Sequence, residues 1–275
     1  MQVCRNFTAL IRIFAIEPDS WVMFEIDHAN IFSTPTRMNA ETPLHQRRRP
    51  PTSAELAGIP WLAAMTEAEQ ALAVPRIVVG DAQPGDLVCR FGKAPTYWFG
   101  VVEGLLKMST DNEQGYSVTF TGLPSGGWFG EGTALKRESY RYNVQALRNT
   151  TVAGLPLETF HLLLDKSIGF NRFVMNQLNE RLGQFIAARE IDRLANPDVR
   201  VARNLAALFN PVLFPGVGEV LRITQQELAY LVGLSRQRVN VALNALQQAH
   251  WIRLEYGGVR VLNLTALRSH TLDTP

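Results

Sequence analysis

The spacing of apolar positions changes twice along the chain. Between Arg76 and Val152 the apolar residues come in short runs or alternate with polar ones: "RIVV", "DLVCRF", "YWFGVVEG", "LLKMS", "YSVTFTGL" and "YNVQAL". Turn signals separate them at Gly80, Pro84-Gly85, Gly92, Asp111-Asn112 and Pro124-Ser125-Gly126-Gly127. Many short strands at this spacing predict an all-β sandwich or barrel. A short helical opening, "AELAGIPWLAAMTEAEQALAV", precedes it from about Ala54. From Ile168 to Asn196 there is no proline, and the pattern becomes that of one long helix. Met175, Leu178, Leu182 and Phe185 follow a 3-4-3 spacing, the seam of a short coiled coil between two copies of the chain. Phe173, Val174 and Ile186 fall on other sides, so the helix is expected to pack on the barrel as well. Asn196-Pro197 breaks the helix and reads as a hinge.

The pattern changes again at "ITQQELAYLVGLSRQRVNVALNALQQAHWIRLEYGGVRVLN". Thr224-x-x-Glu227 is a capping box, which satisfies free amides at a helix start. That helix is expected to bury Leu228, Leu231 and Val232 and to end at Gly233, which tolerates the left-handed turn between helices. Ser235 caps a second helix, in which Val239, Ala242, Leu243 and Leu246 form the buried face. Gln237, Asn240, Val241 and Asn244 then point outward, flanked by Arg236 and Arg238. A hairpin follows, "WIRLEY" and "VRVLN" about Gly257-Gly258. Two helices about a short glycine turn, followed by a hairpin, predict a winged helix-turn-helix. Arg offers two parallel donors to guanine and Gln pairs with adenine, while Val241 suits a thymine methyl. Arg253 and Arg260 on the wing, with Thr224, are placed for phosphates.

Charge supports that reading. The 275 residues carry a net charge of +2. The last 77 hold eight arginines against four acids, a balance of +4, which leaves −2 for the remainder. A basic module joined to a mildly acidic one points to a polyanionic partner, double-stranded DNA. No run approaches the roughly 18 apolar residues of a membrane span, and the N-terminus lacks a clear signal-cleavage site. Only Cys4 and Cys89 occur, too few for a disulfide framework or a multi-cysteine metal site, so a cytoplasmic setting is expected. Residues 1–53, with "STPTRMNAETPLHQRRRPPTSAE", read as a disordered or mis-annotated extension, and Met38 is a candidate start.

"WFGVVEGLLKM" followed by "LPSGGWFGEGTAL" resembles the barrel and phosphate-binding cassette of the Crp/Fnr family of bacterial transcription regulators. "ITQQELAYLVGLSRQRVNVALNALQ" is similar to its helix-turn-helix nearly position for position, and the resemblance covers roughly Ala54 to Asn263. It implies an α+β chain: a cyclic-nucleotide-binding-like antiparallel β-barrel of the jelly-roll type, a long dimerisation helix and a winged helix-turn-helix. It further implies that Gly130, Glu131 and Gly132 hold the ribose and cyclic phosphate of a nucleotide, with Arg141 neutralising the phosphate. Cyclic AMP or another small effector is the implied ligand, and RNA polymerase is a further partner. Two positions depart from the cyclic-AMP pattern: Tyr142 follows Arg141 where Ser or Thr is usual, and no Thr-Ser pair stands near Phe185 and Ile186. In the reading helix Gln237 stands where Glu is frequent, and Val241 replaces an Arg of some members.

An enzyme built on the barrel is disfavoured. A cupin-like oxygenase carries ligand histidines on its strands, and residues 75–153 contain none. No P-loop, nucleophile elbow or HExxH occurs. The expected organisation is therefore an extension at 1–53, an effector domain at 54–166, a dimer helix and hinge at 167–197, and a DNA-binding domain at 198–275. The expected function is a homodimeric, sequence-specific DNA-binding regulator on a pseudo-palindromic site. A sensor module acting through a protein partner is the alternative.

Overall fold

The computed structural model describes residues 47–111, 117–191 and 196–269. The described chain opens on the barrel earlier than the expected boundary at residue 53. Arg49 bridges to Val79 through paired backbone bonds of 2.8 Å. Each of the three arginines is engaged: Arg47 with Asp86 at 2.7 Å, Arg48 with the Tyr97 hydroxyl, and Arg49 with Glu55 at 2.6 Å. Residues 1–46, with the extension and the candidate start at Met38, lie outside the described residues.

Two short helices follow, α1 (Ser53–Ala57) and α2 (Glu67–Ala73), each started by a capping box, Thr52 with Glu55 and Thr66 with Glu69. The strands are β1 (Val78–Ala82), β2 (Leu87–Cys89), β3 (Tyr97–Glu103), β4 (Leu105–Asp111), β5 (Ser117–Pro124) and β6 (Trp128–Phe129). After α3 (Glu131–Lys136) come β7 (Asn143–Ala146) and β8 (Thr150–Pro156). They form two four-stranded antiparallel sheets, in the orders β1-β8-β3-β6 and β2-β7-β4-β5. Val101, Leu106, Met108, Leu123, Phe129 and Val144 fill the space between them. The alternating pattern marked six of these strands. It missed β6, which has only two residues, and β8, whose buried positions do not alternate.

A second core lies under α4 (Leu157–Lys166) and the start of α5 (Ile168–Ile191). Trp61, Trp98, Trp128, Phe160 and Phe170 meet there, with the Trp98 and Trp128 rings 4.4 Å apart. Small residues permit the approach. A Cβ on Gly100 would sit 2.3 Å from the Trp128 ring, and one on Gly169 would sit 1.8 Å from the Ala64 carbonyl oxygen. At 1.5 Å per residue, the 24 residues of α5 run about 36 Å.

Beyond α5, Asn196 caps α6 (Pro197–Ala207), which has Pro at its first position, where a missing N–H costs nothing. Then come β9 (Val220–Leu221), α7 (Gln225–Val232), α8 (Arg236–Gln248), β10 (Ile252–Glu255), β11 (Gly258–Val261) and α9 (Leu264–Ser269). β9 joins the hairpin as a third strand, in the order β10-β11-β9. Glu255 pairs with Gly258, so the turn is Tyr256-Gly257, one residue earlier than the sequence suggests, with Gly257 at φ 68°. Leu213 and Phe214, in the segment between α6 and β9, are buried in the core between the two sheets. The side chain of Gln177 on α5 donates to the Val212 carbonyl at 2.7 Å. The C-terminal part is thus fastened to the sheets.

Candidate functional site

The two-helix unit is built as its residues dictate. Thr224 accepts from the Glu227 amide while the Glu227 carboxylate accepts from the Thr224 amide, so α7 starts with its orphan donors filled. Gly233 ends it at φ 67°, a conformation costly for any residue with a Cβ. Ser235 then accepts from the Arg238 amide at 3.2 Å to start α8. Leu228, Leu231, Val232, Val239, Ala242, Leu243 and Leu246 are all buried in one core, so the face left to solvent is fixed. Arg236, Gln237 and Asn244 are exposed on it, and Val241 is 53% exposed.

The remaining candidates are held within the chain. Arg238 is half-buried and lies 2.7 Å from Asp198 of α6, off the line of a hydrogen bond. Asn240 accepts from Gln225 at 2.8 Å, which ties α8 to α7. On the wing, Arg253 pairs with Glu255 at 3.2 Å, and Arg260 pairs with Glu219 and Glu255. Arg236 and Gln237 are therefore the side chains presented without a competing contact among the described residues.

A cavity of about 880 Å³ lies where β5, α3, α5, α6 and the α7–α8 turn meet. Gly130 (φ 82°), Glu131 and Gly132 line it. Glu131 is 2% exposed and accepts from Arg181 Nε at 2.7 Å. Arg181 is 8% exposed and also donates to the Trp128 carbonyl at 2.7 Å. One oxygen of Glu131 and one nitrogen of Arg181 remain without partners, a buried acceptor and a buried donor. Arg141 lies on the rim, its side chain 79% exposed and paired with Glu138 at 3.0 Å. The buried cation is Arg181. Its signal in the sequence is spacing: Val174, Leu178, Arg181 and Phe185 recur on one face of α5. Tyr142 also lines the cavity, and burial pushes its phenol up to about 12. Phe120 and Phe185 close one wall, ring centroids 6.3 Å apart and nearly perpendicular.

The far wall of this cavity is Tyr230–Gly233, the end of α7 and the turn itself. Thr119 of β5 donates to the Tyr230 carbonyl at 3.1 Å, and Leu231 packs on the bare backbone of Gly122. Arg148, just before β8, donates to the Arg222 carbonyl and lies 3.3 Å from Glu227. Cys89 is buried between the sheets, away from this cavity. Burial pushes its thiol up to about 12, so it stays protonated.

The four predicted seam residues divide. Met175 and Leu182 are 64% and 60% exposed, while Leu178 and Phe185 turn onto the sheets. Ile168 and Ile186, 70% and 65% exposed, complete the outward stripe. Among the described residues no helix is long and apolar enough to cross a membrane.

Residues 81–167 match the family model for the cyclic nucleotide-binding domain, and residues 199–270 that for the Crp-like helix-turn-helix domain. The chain is 30% identical over 175 residues to the transcriptional regulator SdrP of Thermus thermophilus, a match spanning 62% of this chain and 81% of that one. It is 28% identical over 166 residues to the cAMP-activated global transcriptional regulator CRP of Pasteurella multocida, over 58% and 78% of the two chains. The solved structure of FixK2 from Bradyrhizobium japonicum shares the fold, with a TM-score of 0.55 at 14% identity over 70% of this chain and 96% of that one.

Proposed function

Because the chain belongs to the Crp/Fnr family of transcription regulators, we propose that it works in the cytoplasm as a homodimer on a pseudo-palindromic DNA site, controlled by a small effector. The observation that carries the DNA reading is the solvent face of α8. Arg236 and Gln237 stand free at its capped N-terminus with Val241 one turn on, while the opposite face is locked in the core. Two such helices, one from each copy, enter successive major grooves. Arg236 reads guanine, Gln237 reads adenine, and Val241 touches a thymine methyl. Arg253 and Arg260 exchange their intramolecular carboxylates for phosphates when DNA binds. Arg238 instead positions α8 through Asp198.

The outward stripe of Ile168, Met175, Leu182 and Ile186 supports pairing of α5 with its copy. The unpartnered atoms of Glu131 and Arg181 fit an effector carrying hydroxyl groups, which both donate and accept. Cyclic AMP satisfies that chemistry, and the relative from Pasteurella multocida is named for its activation by it. The aromatic wall at Phe120 and Phe185 favours a flat ring. An effector filling this cavity touches the sheets, α5 and the α7–α8 turn at once. It shifts the DNA-binding state to the extent that it binds the two arrangements unequally.

The test is selection of bound duplexes from a random pool, with and without cyclic AMP. A two-fold symmetric motif in either arm supports the reading. No enrichment in either arm, or affinity that does not fall with added salt, refutes it and favours a protein partner.

A further inference from the structure

A second cavity, of about 740 Å³, opens where the edge strands of the two sheets face each other. Its walls come from β1, β2, β3 and β8, and it shares no lining residue with the cavity at Glu131. Val78, Leu87, Val88, Phe99 and Val152 make the interior apolar. No carboxylate lines it, yet three cations do: Arg48, Arg90 and Lys93. Arg48 is held over the Tyr97 ring, 5.3 Å from its centroid. Arg90 and Lys93 make no side-chain hydrogen bond or ion pair with any described residue. The turn that carries them is nevertheless fixed. The Gly92 amide donates to the Tyr140 carbonyl at 2.8 Å, and the Tyr140 amide donates to the Lys93 carbonyl at 2.9 Å.

We propose that this slot binds an amphipathic monoanion, a carboxylate on an alkyl or aryl body, with its head at Arg90 and Lys93 and its hydrocarbon between the sheets. An apolar pocket of several hundred Å³ with a few placed polar groups is the usual form of a small-molecule site. The charge decides the head group: two cations on a fixed turn, with no acid in the lining, lower the potential energy of an anion there. The polar groups decide the body. Thr96 and the Tyr140 hydroxyl are the remaining side-chain hydroxyls besides Tyr97, and Tyr140 already donates to the Tyr97 carbonyl at 3.4 Å. That set is too sparse to read a sugar or a base. The slot also abuts the other cavity, since its Tyr140 lies edge-on to Tyr142, centroids 5.8 Å apart.

Calorimetric titration of the full chain with decanoate, below its micellar concentration, tests this. The expected result is one saturable site per chain. Arg90→Gln with Lys93→Gln should weaken decanoate at least tenfold and leave decanol unchanged, because only the anion uses the cations. Val88→Trp fills the slot and should abolish binding of both, with a thermal melt checking that it folds. Absence of saturable binding to the native chain overturns the proposal. So does an unchanged affinity in the Arg90→Gln, Lys93→Gln chain, whose substitutions lie on an exposed turn and spare the core.

Discussion

Replacing Arg181 by Met removes one partner of the most buried ion pair described in the chain. Glu131 and Arg181 are 2% and 8% exposed and meet at 2.7 Å. Two unit charges about 4 Å apart attract by about 4 kcal/mol at an effective dielectric of 20, and this offsets the desolvation of both. With the guanidinium gone, Glu131, 2% exposed, loses that attraction. Its carboxylate is left buried without its partner. The Trp128 carbonyl loses its donor as well. The expected loss is about 3–5 kcal/mol, the range for breaking a buried pair. Arg181→Met together with Glu131→Gln leaves no stranded charge and should recover about half of it. Urea unfolding followed by tryptophan fluorescence reports the right region, since Trp128 itself carries the carbonyl that Arg181 holds. A loss under about 1 kcal/mol, equal in the single and double chains, would show that the pair is wet and the reasoning wrong.

Other consequences are as direct. Gly169→Ala gains about 1 kcal/mol of helix propensity but drives a Cβ to 1.8 Å from the Ala64 carbonyl oxygen, so a net loss of about 1–3 kcal/mol is expected. A thermal melt at or above that of the native chain would contradict it. Leu182→Asp puts a charge in the outward stripe of α5 and should halve the sedimenting mass, whereas Leu178→Ala, on the inward side, should lower stability and leave the mass unchanged. The bond from Arg49 holds the Glu55 carboxyl at about 2, below its ordinary 4.5. Its contribution is thus complete above about pH 4.5 and disappears as the pH falls toward 2. Arg49 is 41% exposed at the side chain, so solvent screening holds the effect under about 1 kcal/mol. Glu55→Gln should flatten the acid end of the stability profile by that amount. Arg236→Ala should weaken DNA binding by about 1–3 kcal/mol and relax preference at one base pair, read by repeating the duplex selection.

What was legible in the sequence divides along the range of the interactions involved. The helix-turn-helix is written in local signals: a capping box over four residues, a glycine at the turn, and a 3.6-residue stripe. Each of its buried positions lies where the pattern puts it. Six strands were legible for the same reason, whereas β8, with seven residues but no alternating burial, was not. Trp128-Phe129 is too short to show any period, although Trp128 anchors the aromatic cluster. The cavity at Glu131 was legible only in part. Gly130 and Glu131 are adjacent, but the cation that meets Glu131 stands 50 residues away on α5, where a charged residue flanking a seam reads as solvated. The contact between Thr119 and Tyr230 spans 111 residues, and no period in either segment encodes it. Two sides of one helix are ambiguous in a related way. Leu178 and Leu182 belong to the same 3-4-3 repeat, and only the position of the sheets decides that one turns inward while the other is left for a partner. The proposed control by an effector depends on this long-range class of contact. The turn before Arg236 is also a wall of the cavity, so an effector acting as proposed would bear on the proposed reading helix directly rather than through a chain of intermediate residues.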